Sequence, residues 1–283
     1  MRRLPGPLVR PTWLLRHLAD PGLCVLDCRW TLGVGARPDA YAAGHVPGAV
    51  FIDLEADLAG PPGAAGRHPL PDRSIFEAAM SRAGVDPETT VVAYDDGTGS
   101  AARCWWMLRA AGHAAAAVLD GGLTGWVDAG GGLTTTTPAP RVGRVTLAPF
   151  SGTVDADAVA GLAAAGAGAP TRLLDARAPA RYRGELEPVD PRPGHIPGAR
   201  NLAFTELFPD GRLLGPSVLA ARLDAAGVTA GAAPVVYCGS GVSACMVLLA
   251  LAAAGIEDGR LYPGSWSEWS GHPDRPAVLG PSP

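Results

Sequence analysis

The chain of 283 residues carries much of its own sequence twice. LDCR at 26–29 returns as LDAR at 174–177, GHVPGA at 44–49 as GHIPGA at 194–199, and LDGGLTGW at 119–126 as LYPGSWSEW at 261–269. AGV at 83–85 stands ahead of TTVVAYDDGTGSAA just as AGV at 226–228 stands ahead of APVVYCGSGVSA. Motif pairs in one order and at nearly constant spacing mark a tandem duplication. Any fold for this chain must therefore fit into half its length and be built twice, and the length suits two domains, each with its own core. Between the halves, DAGGGLTTTTPAPRVGRVTLAPFSG at 128–152 is crowded with Gly, Thr and Pro and has no helical periodicity, which implies an extended connector. The expected division is a first domain at 1–130, a linker at 131–150 and a second domain at 151–283.

Each half alternates short aliphatic runs with stretches rich in Ala, Leu and Arg. The runs are Val25-Leu26, Val91–Tyr94 and Val118-Leu119, then Leu173-Leu174, Val235–Tyr237 and Leu261-Tyr262. Short, fully apolar strands separated by helices predict an α/β class, each half a parallel sheet flanked by helices on both faces. With 47% apolar and 18% charged residues the chain is foldable, and a net charge of −4 spread among both signs argues against a nucleic-acid partner. The longest apolar run, Met246 to Ala254, is far short of the roughly 20 residues that cross a bilayer, so no membrane partner is expected. Pro5, Pro7, Arg10 and Pro11 interrupt the first residues, which do not read as a signal peptide. Five cysteines, an odd and low count, point to reduced thiols, and the expected location is cytoplasmic.

The chemistry concentrates in VVYCGSGVSACMVLLALAAAG at 235–255. A strand running into a glycine-containing turn and then a helix directs backbone N–H groups at the loop centre, and sites in parallel sheets lie at such carboxyl ends. Cys238 is the first loop residue, where these amides would stabilise a thiolate. It could equally be an ordinary buried thiol, and the motif alone leaves both readings open. The other half weighs for the nucleophile: Asp95 follows Tyr94 as Cys238 follows Tyr237, so the loop was kept there without the thiol. A cysteine phosphatase would need an arginine at position 244 to grip phosphate, and Ala244 stands there.

Together, LDCR, HVPGA, LDGGLTGW, LDAR, RYRGE, GHIPGA, CGSGVSA and GSWSEW make the chain similar to the tandem-domain rhodanese family, and within it to the 3-mercaptopyruvate sulfurtransferases. CGSGVSA is the most specific element, with Ser243 where relatives usually carry Thr. The resemblance implies that Cys238 accepts sulfur from a small-molecule donor as a covalent persulfide. A thiol acceptor, such as a thioredoxin-like protein or a low-molecular-weight thiol, or else cyanide, then removes it, and no metal or organic cofactor takes part. Thiosulfate is the alternative donor, and a non-catalytic persulfide relay is the more distant reading. Thiosulfate-preferring relatives carry basic residues just after the cysteine, where a small dianion needs charge; Gly239 and Ser240 offer none. The carboxylate of 3-mercaptopyruvate lies further from the transferred sulfur, where a guanidinium outside the loop can hold it in bidentate fashion.

That resemblance assigns the grip to Arg181 and, nearest the expected second arginine, Arg192, with Arg183 competing. Gly239, Ser240, Gly241, Val242 and Ser243 would line the substrate site. Ser240, His68 and Glu55 match a proposed serine–histidine–acid relay, with Asp53 or Asp57 as alternatives to Glu55 and the first half contributing His68. Asp175, Arg177 and Ser265 resemble residues that brace the loop. For the arginines, a solvated surface position is the commoner fate. His45 and His195, in matched turns, read as structural. Cys24 and Cys28 lie about 13 Å apart if strand-like, too far for a disulfide or a shared metal. Trp266 and Trp269 read as packing that shapes the pocket.

Overall fold

The structure, a computed structural model, describes residues 4–166, 171–228, 231 and 233–283. The chain divides into two compact units. The first comprises Met1–Gly60, Leu70–Ser151 and Asp210–Leu213; the second comprises Pro61–Pro69, Gly152–Pro209 and Leu214–Pro283. This differs from the expected division in two ways. The 131–150 stretch is not a free linker: Gly143 N–H donates to the Ser81 carbonyl (2.8 Å), Val145 N–H to Val85 (3.1 Å) and Ala148 N–H to Ala111 (2.9 Å). Val145 and Leu147 are buried as a result, which holds the extended segment on the first unit although it forms no helix. Second, Pro61–Pro69 belongs to the second unit although it lies within the first sequence repeat.

In the first unit, strands β1 (Leu8–Val9), β2 (Leu23–Asp27), β3 (Trp30–Thr31), β4 (Gly35–Ala36), β5 (Val50–Phe51), β6 (Thr90–Tyr94) and β7 (Ala116–Leu119) are joined largely through helices. The main sheet runs β1-β7-β6-β2-β5, all parallel, with β3 and β4 as a separate antiparallel pair. The second unit repeats the plan with β8 (Leu173–Asp175), β9 (Ala199–Asn201), β10 (Val235–Tyr237) and β11 (Arg260–Leu261), in the parallel order β11-β10-β8-β9. Each central strand is buried along its length, as the aliphatic runs predict. The chain leaves β8 towards β9 and leaves β10 the opposite way, towards β11. The loops after these two neighbours part there and open a crevice at their carboxyl ends.

The repeated motifs build the same bracing in both units. Arg177 donates to both oxygens of Asp175 and to the Gly194 carbonyl (2.7 Å), as Arg29 does to Asp27 and the Gly44 carbonyl (2.8 Å). The HxPGA histidines are structural. His195 stacks on Tyr182 at 3.8 Å and bonds its carbonyl, His45 does the same with Tyr41 at 3.9 Å, and each tyrosine hydroxyl donates to the alanine ending the motif. Arg177 is buried, with its guanidinium 4.7 Å from the Trp266 ring centre. Burial alone would lower its pKa, but the Asp175 charge and hydrogen bonds more than offset this and raise it, so it stays cationic. Removing one member of such a pair leaves a buried charge unmatched. Arg177→Met is therefore expected to destabilise the protein by about 3–5 kcal/mol, read as a lowered urea midpoint, whereas Arg183→Met, at an exposed pair with Glu185, should shift it little.

Candidate active site

Cys238 follows β10 directly and is 1% exposed. The Gly241 N–H, at a left-handed glycine (φ +76°), donates to its Sγ at 3.1 Å. The Cys238 N–H donates to Ser265 Oγ at 3.1 Å, and that hydroxyl donates to the Tyr262 carbonyl at 2.9 Å. Trp266 and Ser267 N–H groups donate to the carbonyls of Cys238 and Gly239, both at 2.9 Å, so the turn after β11 clamps the loop. Val242 and Ser243 close it: their carbonyls accept from Cys245 and Met246 at the start of helix Ala244–Ala253.

Ser265 sits at φ +55°, a left-handed conformation that glycine favours. Its counterpart in the first unit is Gly122, also at φ +55°. The second unit tolerates the strain because the hydroxyl fixes the cysteine backbone. Both Ser265→Ala and Ser265→Gly lose those hydrogen bonds, but only glycine relaxes. Ser265→Ala is therefore expected to be less stable than Ser265→Gly by about 1 kcal/mol in urea unfolding.

The first-unit loop shows what such a cradle accepts. Asp95 replaces the cysteine, and its carboxylate accepts from the N–H groups of Gly97 (2.8 Å), Gly99 (2.9 Å) and Ala101 (3.0 Å). Burial raises the Asp95 pKa, while these amide bonds act in the opposite direction. The loop is thus an anion cradle that this unit fills with its own side chain. Cys24 and Cys28 of the first unit are poorly suited to nucleophilic work. Burial pushes Cys24 up to about 12, and burial, followed by the neighbouring Cys104, pushes Cys28 well above the ordinary thiol value. Among the described residues, no group of three His, Cys, Asp or Glu is placed to hold a metal.

His68 Nδ1 and Ser240 Oγ pair at 2.8 Å, both buried, within the second unit. Segment Pro61–Pro69 reaches this position by a tight turn, with Gly63 and Gly66 exchanging backbone hydrogen bonds. A Cβ on Gly66 would lie 2.7 Å from the Gly264 carbonyl oxygen, so only glycine fits, and the Arg67 N–H donates to Ser267 Oγ (3.0 Å). Glu55, expected as the orienting acid, lies in the first unit, where its carboxylate accepts from the Trp30 indole. Asp53 caps helix Leu54–Asp57 and Asp57 pairs with Arg82. The sequence alternatives for the acid thus have partners of their own.

The arginines require corrections. Arg192 does not present a free guanidinium: it donates to the carbonyls of Trp269, Ser270, His272 and Arg275. Its charge sits at the carboxyl end of helix Ser265–Gly271, where the unpaired carbonyls and the helix dipole attract a cation. Arg183 pairs with Glu185 on the surface. Arg181 does stand beside the loop, with Nη1 3.4 Å from where a Gly239 Cβ would be. Its Nε and Nη2, however, are occupied by Glu187 (3.3 and 2.6 Å), and Nη2 also reaches Asp190 (3.0 Å), so the expected bidentate grip is already taken. Sequence reasoning missed Arg67, whose Nη2 lies 3.1 Å from the same Gly239 position, and Asp190, which links both arginines. The available signal was that Arg67 adjoins His68 in GRHPLP.

Comparison with known proteins places this geometry in context. The rhodanese-like domain matches residues 10–129 and again 157–272. A protein of Mycobacterium tuberculosis named putative thiosulfate sulfurtransferase SseB is 46% identical over 92% of this chain and 92% of its own. One of Pseudomonas aeruginosa, named probable 3-mercaptopyruvate sulfurtransferase, is also 46% identical, over 94% and 96%. Among solved structures, SseA of Escherichia coli, a 3-mercaptopyruvate sulfurtransferase, superposes with a TM-score of 0.80 at 34% identity, covering 93% of this chain and all of its own. The two relatives bear different names at equal identity, so identity does not choose between them.

Proposed function

The chain belongs to the rhodanese-like domain family, in two tandem copies, and on that premise we propose that it is a sulfurtransferase moving sulfur from 3-mercaptopyruvate through Cys238 to a thiol or to cyanide. The observation that carries this reading is the pair of loops. The second-unit loop stands at the position of the first, directs the Gly241 N–H at a sulfur, and carries no carboxylate of the kind that fills the first.

The Cys238 thiolate attacks the donor sulfur, the carbon–sulfur bond breaks, and its electrons pass to pyruvate enolate, which takes a proton to give pyruvate. The product is a Cys238 persulfide. Its outer sulfur extends one bond beyond Sγ, as the Asp95 oxygens extend one bond beyond Cγ, in the loop whose Gly241 N–H donates to Sγ. An acceptor thiolate or cyanide then attacks that outer sulfur and releases the Cys238 thiolate, which gives ping-pong kinetics. Ser240 and His68 supply a route for the donor's thiol proton. The cycle needs no cofactor, and five cysteines, an odd number and all buried, suit a reducing cytoplasm. No helix among the described residues is long and apolar enough to cross a membrane.

Steady-state transfer to cyanide, with 3-mercaptopyruvate and thiosulfate compared side by side, tests the reading. We expect a strong preference for 3-mercaptopyruvate, loss of turnover in Cys238→Ser, and one added sulfur atom on the Cys238 peptide by mass spectrometry after donor alone. Preference for thiosulfate would keep the nucleophile and overturn the donor; labelling without pyruvate release would indicate a relay protein. For His68→Ala we expect kcat to fall on the order of a hundredfold.

A further inference from the structure

A buried donor beside Cys238 lacks an acceptor. Arg67 Nε is buried with no hydrogen-bond partner among the described residues. The Nη1 of the same guanidinium is held by Asp190 at 2.5 Å, while Nη2 faces the space over Gly239, 3.1 Å from where a Cβ would be. Nε and Nη2 form the edge by which arginine forks a carboxylate. Arg181 brings its Nη1 to the same space, at 3.4 Å from the same point. Leaving a buried donor unsatisfied is costly, so a donor fixed in this way beside a nucleophile points to an acceptor that arrives with a ligand.

Resting on the sulfurtransferase reading, we infer that Arg67 is the substrate-carboxylate fork of this site. Its Nε–Nη2 edge takes the two carboxylate oxygens while Arg181 Nη1 adds a third donor. Asp190 serves as a positioning residue that holds both guanidinia.

The charge around the site selects the class of donor. Arg67, Arg177 and Arg181 face Asp175, Glu187 and Asp190, so three cations meet three carboxylates before any ligand arrives. Such a balanced cluster offers directional hydrogen bonds more than net positive charge. That suits a forked monoanionic carboxylate better than a small dianion, which needs surplus positive charge. It also explains the neutral loop: a lysine or arginine at position 239 would begin its side chain in contact with two guanidinia. A basic loop and this arginine pair are thus alternative ways to hold a donor, and this chain uses the second.

The test separates the fork from the sulfur chemistry. Alkylation of Cys238 by iodoacetate and by neutral iodoacetamide, followed on its tryptic peptide, gives a rate ratio that reports carboxylate recognition without any sulfur donor. In Arg67→Met the iodoacetate:iodoacetamide ratio is expected to fall roughly tenfold to a hundredfold. Arg67→Lys, which can keep the Asp190 pair but lacks the fork, should fall most of the way, and Arg183→Met should match wild type. With 3-mercaptopyruvate, Arg67→Met should raise KM about tenfold or more with kcat within about threefold. A ratio within twofold of wild type in both Arg67 variants overturns the inference, even if sulfur transfer proceeds as proposed. A fallen ratio in an enzyme that does not turn over 3-mercaptopyruvate upholds the fork and overturns the donor instead.

Discussion

The buried pair of Asp175 and Arg177 at the end of β8 is the interaction on which the second unit's site depends. Arg177 ties its strand to the Gly194 carbonyl, lies against the Trp266 ring, and shares Glu187 with Arg181. Arg181 in turn shares Asp190 with Arg67. A chain of charge-assisted hydrogen bonds thus runs from the sheet to the edge of Cys238, and each member is held by the one before it. In a buried setting such a network rigidifies only when its members are satisfied, and the Nε of Arg67, at its far end, is left for a ligand.

Duplication followed by divergence explains why two units built on one plan do different work. Both keep the aspartate–arginine brace, the tyrosine–histidine stack and the loop after the central strand. Two of their differences bear directly on the nucleophile. Asp95 fills its own cradle where Cys238 leaves room, and Gly122 relaxes into the left-handed turn where Ser265 is held there for its hydroxyl. The first change creates the nucleophile, and the second fixes its backbone.

Donor choice follows from how charge is distributed around the loop. A loop with basic residues would bring positive charge directly to the sulfur. Here the cations lie to one side, each matched to a carboxylate, and contribute direction through the geometry of their forks. Gly239 is the residue that allows this, because its missing side chain is the space into which Arg67 and Arg181 reach.

The sequence by itself determined the duplication, the α/β class, the strand that carries Cys238 and the loop around it. Each of these is set by local pattern: apolar runs that must be buried, and a strand–turn–helix motif repeated with one decisive substitution. It also singled out the pairing of His68 and Ser240 as a candidate, by resemblance. What it could not determine was where long side chains end. Arg192, close in sequence to the expected position, is drawn to the carbonyls at a helix end, while Arg67, more than a hundred residues before Cys238, reaches the loop because Gly66 lets its segment approach Gly264. The extended stretch at 131–150 likewise looks like a linker until Val145 and Leu147 find a surface to bury against. Guanidinium partners and the docking of irregular segments depend on distances between residues remote in the chain, which no local periodicity encodes, and only the tertiary structure decides them.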